Sequence, residues 1–145
     1  MNIGLVIGKK NSVSVPGKNI KILLGRPSAE YAFLAAKHSL IDKVYVSSDS
    51  EEILSIGSKY GASLIKRPSN LAQPDTLTED VLLHAYEYIK NENKNIFSIS
   101  LLFCNNPAIN VNLLNEAINF INTNKDYESC FSVVIYDMFS PIRAR

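Results

Sequence analysis

A lysine-rich loop with two glycines follows the first apolar run of the chain. The run is Ile3 to Ile7, the glycines are Gly8 and Gly17, and the lysines of the loop are Lys9, Lys10, Lys18 and Lys21. Positive side chains and free backbone amides around a turn are the groups that bind a polyphosphate, and glycine permits close approach. Neither the P-loop pattern G-x-x-x-x-G-K-[ST] nor G-x-G-x-x-G occurs, so this loop is either a phosphate site of another type or a solvated basic loop.

The elements that must position this loop alternate between strand and helix. Short apolar or β-branched runs predict strands at 3–7, 43–48, 62–65, 97–103 and 129–136. Helical spacing predicts helices that begin near residues 28, 51, 78 and 111, the second ending near Tyr60. Such alternation favours a three-layer α/β/α sandwich with a mainly parallel sheet. The length suits one domain, residues 1–145.

In open α/β sheets, ligands bind at the carboxyl ends of the strands. This rule selects the lysine-rich loop, the turn from Ser47 to Asp49, and the segment from Phe103 to Pro107. Asp49 either caps the helix that follows it or takes part in the chemistry. Thr78 is a plausible N-cap for the third helix.

Composition excludes several classes of partner. The formal net charge of +1 gives no indication of nucleic acid or an anionic membrane as partner. No apolar run approaches the roughly 20 residues of a membrane span, and the start does not resemble a signal peptide, so we expect a cytoplasmic protein. Cys104 and Cys130 are expected to be buried, reduced thiols. His38 and His84 have no second ligand at metal-binding spacing, so no metal site is predicted from them.

Several segments, taken in order, resemble the CMP-sialic acid synthetases (acylneuraminate cytidylyltransferases) and their relatives. The segments are VIGKKNSVSVPGKNI, VYVSSDSEEI, KYGASLIKRPSNLA, TEDVLLHAYEYI and SCFSVVIYDMFSP. The ordered set is more specific than any one piece and covers almost the whole chain. The resemblance implies a GT-A-like nucleotidyltransferase fold. It also implies transfer of CMP from CTP to an acidic, sialic-acid-like sugar with release of pyrophosphate.

The resemblance assigns roles only to matching positions. It implies that Lys18 contacts the CTP phosphates, that Asn19 helps hold the nucleotide and that Arg67 lies near the cytosine. Lys9 stands where the family has an arginine, so it keeps the charge but not the planar fork. Lys18 and Lys9 are therefore the expected catalytic residues. The implied nucleotide-binding residues are Gly8, Lys9, Ser12, Lys18, Asn19, Arg67 and Thr78.

The sugar-facing end departs more from the family pattern than the nucleotide-facing end. Val13 replaces a loop lysine, Phe103 replaces a glutamine that helps hold the sugar, and Ile109 replaces an arginine. Asn105 and Asn106 are expected to supply hydrogen bonds to a different acidic sugar.

The resemblance also implies a homodimer and a requirement for Mg²⁺. Family members are longer, and the acidic residues that hold Mg²⁺ and the dimerisation element lie in their later part, whereas this sequence stops at Arg145. Two alternatives therefore stay open. The chain is a truncated or inactive nucleotide-binding relative without turnover, or it is a related nucleotidyltransferase that uses another base or sugar.

Overall fold

The structure, a computed structural model, describes residues 1–12 and 15–133. The strands are β1 (Asn2–Ile7), β2 (Ile22–Leu23), β3 (Arg26–Pro27), β4 (Lys43–Ser48), β5 (Ser63–Lys66) and β6 (Ser98–Phe103). The helices are α1 (Ser28–Lys37), α2 (Glu51–Lys59), α3 (Thr78–Glu92) and α4 (Val111–Thr123), and a short 3₁₀ helix spans Ser69–Leu71. Among the described residues, no helix is long and apolar enough to span a bilayer.

The main sheet has four parallel strands in the order β5-β4-β1-β6, and β2 and β3 form a separate antiparallel hairpin. Residues of α1 and α2 pack on one face of the sheet, where Leu114 of α4 joins them. Residues of α3 pack on the other face. This arrangement confirms the predicted three-layer sandwich with a mainly parallel sheet.

The pattern of apolar residues explains why these elements form. Every residue of β1 after Asn2 is buried, as expected for a parallel strand covered on both faces. In α3 the buried residues are Val81, Ala85 and Ile89, which are four apart and so form one helical stripe. The sequence of α3 therefore places one side of the helix on the sheet and leaves the other in solvent.

Neither Asp49 nor Thr78 caps a helix, so the capping alternative for Asp49 and the capping prediction for Thr78 both fail. Ser50 caps α2, since its side chain accepts a hydrogen bond from the backbone N–H of Ile53, and Asp49 is free for another contact. Thr78 is already the first helical residue of α3. The N-cap residue is Leu77, whose apolar side chain cannot accept a hydrogen bond from the first turn.

The last predicted strand and one of the two cysteines differ from the predictions. The strand predicted at 129–136 is absent over 129–133, and residues 134–136 lie outside the described part of the chain. Cys104 is buried as predicted, whereas Cys130 is exposed, so the prediction of a buried thiol is wrong for Cys130.

Candidate functional site

A cleft of about 760 Å³ lies over the carboxyl ends of β1, β4 and β5. It is lined by Lys9, Asn11, Asp49, Lys66, Arg67, Pro68, Ser69, Ala72, Gln73 and Pro74. Three of these side chains are positive and one is negative, so the cleft suits an anionic ligand. Two of the three segments that the carboxyl-end rule selected supply part of this lining, and the loop after β5 supplies the rest.

Arg67 is the most deeply buried charged residue of the cleft, with 6% of its surface exposed. Its Nη2 atom donates a hydrogen bond to the backbone oxygen of Ser47 at 2.8 Å, and its Nε atom donates to Ser47 Oγ at 3.4 Å. Burial lowers the pKa of Arg67, while the nearby negative charge of Asp49 acts in the opposite direction. Within the described residues, no carboxylate lies within 4.0 Å of the guanidinium. The arginine is thus held by neutral groups and keeps its charge available to a ligand.

One hydrogen bond attaches the lysine-rich loop to the turn after β4, and a second closes the loop on itself. The backbone N–H of Lys10 donates to Asp49 Oδ1 at 2.8 Å. Asn19 Nδ2 donates to the backbone oxygen of Lys9, also at 2.8 Å. Asn19 is itself buried, and its backbone oxygen accepts from the N–H of Ala29 at the start of α1. Asn19 therefore holds the loop in shape, and its amide nitrogen already has a protein partner.

Lys18 and Ser12, by contrast, are half-buried in the same loop and do not line the cleft. Lys18 follows Gly17, whose φ of +66° is a conformation that glycine adopts without strain, and its N–H donates to Val15. Val13 lies outside the described residues.

Gly8 is required where β1 approaches the end of β6. A Cβ atom at this position would lie 2.7 Å from Cys104 Sγ and 3.1 Å from a methyl carbon of Ile53. The N–H of Gly8 also donates to the oxygen of Ser47, the same oxygen that accepts from Arg67. Gly8, where the lysine-rich loop begins, thus lies against Ser47 at the end of β4 and Cys104 just after β6.

The remaining predicted residues do not line the cleft. Thr78 is exposed in the first turn of α3 and does not line the cleft. Asn105 and Asn106 are exposed in the turn after β6, on the other side of β1 from the cleft. Ile109 packs against the core, so it has a structural role where the family has an arginine.

Sequence reasoning selected the turn that begins at Ser47 without giving Ser47 a role, and it missed Gln73. Ser47 is buried and receives hydrogen bonds from both Arg67 and Gly8. Gln73 lines the far wall of the cleft, after the 3₁₀ helix. The position of Ser47 at the carboxyl end of β4 is the only signal that pointed to it, and nothing in the sequence distinguished Gln73.

The residues of the cleft do not by themselves make a magnesium site. Among the described residues, Asp49 is the one carboxylate in its lining, and one of its oxygens already accepts a hydrogen bond. In the described part of the chain, no group of three or more His, Cys, Asp or Glu side chains is placed to hold a metal ion.

The comparisons with known proteins agree on one family. Residues 3–143 match the family model described as Cytidylyltransferase. The chain is 30% identical over 118 residues to the pseudaminic acid cytidylyltransferase of Campylobacter jejuni, covering 80% of this chain and 51% of that protein. It is also 30% identical over 131 residues to N-acylneuraminate cytidylyltransferase A of Danio rerio, covering 90% of this chain and 29% of that protein.

Solved structures show the same fold. A CMP:2-keto-3-deoxy-manno-octonic acid synthetase complexed with CTP superposes with a TM-score of 0.69 at 14% identity, covering 86% of this chain and 48% of that one. A cytidylyltransferase from Leptospira borgpetersenii superposes with a TM-score of 0.67 at 20% identity, covering 86% and 50%. The chain thus spans about half the length of these proteins or less.

Proposed function

The chain belongs to the cytidylyltransferase family, and we propose that it binds CTP and transfers CMP to an acidic, nonulosonic sugar. The observation that carries the proposal is the buried guanidinium of Arg67, which has no ion-pair partner among the described residues and lies in the same cleft as Lys9. An unpaired buried charge is stable only when neutral hydrogen bonds or a ligand compensate it. CTP offers one carbonyl oxygen and one acceptor ring nitrogen on its base, and a strongly anionic triphosphate.

The chemistry is a displacement at phosphorus. The anomeric hydroxyl oxygen of the sugar forms a bond to the α-phosphorus of CTP, and the bond from that phosphorus to the bridging β-phosphate oxygen breaks. The hydroxyl proton is lost, and pyrophosphate leaves with the bonding electrons. Negative charge builds on the leaving group, so lysines at its position stabilise the transition state. We assign this role to Lys18 and Lys9.

The other predicted residues divide between the two substrates. Arg67 faces the base, and the buried amide of Asn19 and the hydrogen-bonding Gly8 keep the loop in a shape that receives phosphate. Ser12 and Thr78 contact the nucleotide in this proposal, as the resemblance implies. Asn105 and Asn106, beyond β1, contact the sugar. Magnesium, which the resemblance also implies, would be held mainly by the phosphate oxygens, since the cleft supplies one carboxylate.

The proposal extends to the biological setting. The resemblance implies a homodimer, and CTP is a cytoplasmic metabolite. We therefore propose a cytoplasmic enzyme whose CMP-sugar serves lipopolysaccharide or capsule synthesis.

Pyrophosphate release tests the proposed reaction. The chain is incubated with Mg²⁺, each of CTP, UTP, ATP and GTP, and a mixture of N-acetylneuraminic, pseudaminic and 2-keto-3-deoxy-manno-octonic acids. Of the four nucleotides, we expect only CTP to give pyrophosphate release, and we expect Lys18→Ala to slow that release at least about tenfold. The matched control is Lys59→Ala, an exposed lysine in the last turn of α2. CTP binding without release would favour a nucleotide-binding relative without turnover, and release with another nucleotide would favour the related transferase.

A further inference from the structure

Of the four described strands of the main sheet, β6 is the one whose carboxyl end the cleft does not use. The cleft is lined from β1, β4 and β5, and β6 lies on the opposite side of β1. The strand order changes direction between β1 and β6, because the chain moves from β1 outward to β4 and β5 and then returns to β6. Ligands of open α/β sheets bind at such reversals, outside the carboxyl ends of the strands. A second substrate therefore has this position available beside the nucleotide.

Phe103 occupies this position. It is the last residue of β6, pairs in register with Ile7 and is 41% exposed. Ile7 in turn pairs with Ser47, the residue that holds Arg67. Cross-strand neighbours are about 4.8 Å apart, so the backbone of Phe103 is about two strand spacings from Ser47, in the same row of the sheet. An exposed aromatic residue thus lies at the carboxyl end of the strand next to β1, outside the lining of the cleft.

The segment of the chain that contains Phe103 carries no charge. The sequence from Asn95 to Asn115 has no Asp, Glu, Lys or Arg. The neighbouring Asn105 and Asn106 are neutral hydrogen-bonding groups, and Ile109 is taken up by the core. This part of the site therefore offers an apolar surface with two amides beside it. Such a surface matches a methyl or acyl group better than a row of hydroxyls.

We propose that Phe103 contacts an apolar substituent of the acceptor, so that the site selects deoxygenated, acylated acidic sugars over polyhydroxylated ones. This inference rests on the proposed function, because it requires a sugar to lie beside bound CTP. Phe103 is then a specificity-determining residue. Burial of a methyl group against a half-exposed ring corresponds to about a fivefold preference.

Sugar binding to the CTP-loaded chain tests the inference. The two probes are pseudaminic acid, whose side chain carries an acylamino group and a terminal methyl, and N-acetylneuraminic acid, whose side chain carries only hydroxyls. We expect pseudaminic acid to bind about fivefold more tightly, Phe103→Gln to remove that preference and Phe103→Leu to retain most of it. The matched control is Phe97→Gln, since Phe97 is 51% exposed and precedes the opposite end of β6.

The outcomes separate the two proposals. Equal affinities in the unaltered chain, an unchanged preference in Phe103→Gln, or no binding of either sugar while CTP binds would each overturn the role of Phe103 and leave the nucleotide site intact. A failure to bind CTP at all would instead contradict the proposed function, and the role of Phe103 with it.

Discussion

The carboxylate of Asp49 accepts a hydrogen bond from the backbone N–H of Lys10 at 2.8 Å, and this contact joins the end of β4 to the lysine-rich loop. Asp49 does not cap α2, where Ser50 performs that role. Its negative charge also lies near Arg67. One side chain therefore connects the loop that is proposed to receive phosphate with the arginine that is proposed to face the base.

Removal of this connection should weaken binding of the triphosphate. We expect Asp49→Ala to raise the Kd for CTP about tenfold, because a charge-assisted hydrogen bond of roughly 1.5 kcal/mol no longer holds the loop. Asp49→Asn keeps an acceptor oxygen, so its Kd should stay within about threefold of the unaltered chain. Calorimetric titration with CTP and with cytidine separates the effect on phosphate binding by the loop from the effect on base binding, since cytidine has no phosphates. An equal loss in both variants would show that the charge of Asp49 matters and its anchoring contact does not.

The geometry of the Arg67 guanidinium should matter more than its charge. Lysine at this position keeps the positive charge but not the fork that contacts Ser47 through two nitrogens. We expect Arg67→Lys to lower the free energy of unfolding by about 1–3 kcal/mol and to reduce the preference for CTP over UTP. Urea denaturation and competitive titration measure the two effects. Arg26→Lys is the control, because Arg26 is exposed and its contact with Glu30 is 3.9 Å long. Unchanged selectivity in Arg67→Lys would remove Arg67 from base recognition.

Gly8 should tolerate no side chain while Cys104 is present. Gly8→Ala places a methyl group 2.7 Å from Cys104 Sγ, and we expect a loss of about 1–3 kcal/mol in the free energy of unfolding. Cys104→Ala removes the sulfur, so the double variant should lose less than the sum of the two single losses. Urea unfolding of the four proteins gives this coupling. Strict additivity would mean that the Gly8–Cys104 contact is not the constraint.

The two cysteines should differ in reactivity. Burial raises the pKa of the Cys104 thiol from its ordinary value of 9.0 to about 12, although the charge of Arg67 opposes the change. Cys130 is exposed. Ellman's reagent at pH 8 should therefore modify one thiol in the folded chain and both in urea, with Cys130→Ser abolishing the first reaction. Equal rates for the two thiols in the folded chain would contradict this burial.

The raised pKa of Cys104 also lowers the stability of the folded chain at high pH. Above pH 9 the unfolded chain loses the Cys104 proton while the folded chain keeps it. The contribution of this thiol to stability therefore falls as pH rises between 9 and about 12. Cys104→Ala should flatten that decline in urea unfolding curves.

Local patterns predicted most of the main sheet and its helices. The run from Lys43 to Ser48 became β4 with those bounds, and the helix predicted to begin near residue 78 spans Thr78–Glu92. Apolar periodicity decided these elements because each buries a face that its own sequence defines. Helix caps depend on how the chain enters the first turn, which explains why Thr78 lies one residue too late to cap α3.

The short hairpin and the contacts of the site could not be predicted in the same way. Strands of two residues are too short to show alternation, and Leu24 stands at a φ of +48° where a turn usually has asparagine or glycine. The hydrogen bond between Lys10 and Asp49 joins residues 39 positions apart. Such contacts depend on the packing of β1 beside β4, so the sequence indicated which segments meet but not which atoms pair.

Nucleotide selectivity tests the central claim most directly. Calorimetric titration of the chain with CTP, UTP, ATP and GTP, each with Mg²⁺, should show CTP binding most tightly. That binding should weaken about tenfold in Lys9→Ala, in the cleft lining, and in Lys18→Ala, in the lysine-rich loop, and remain unchanged in Lys59→Ala. Equal affinity for all four nucleotides, or no binding of any, would contradict a CTP site in the cleft beside Arg67.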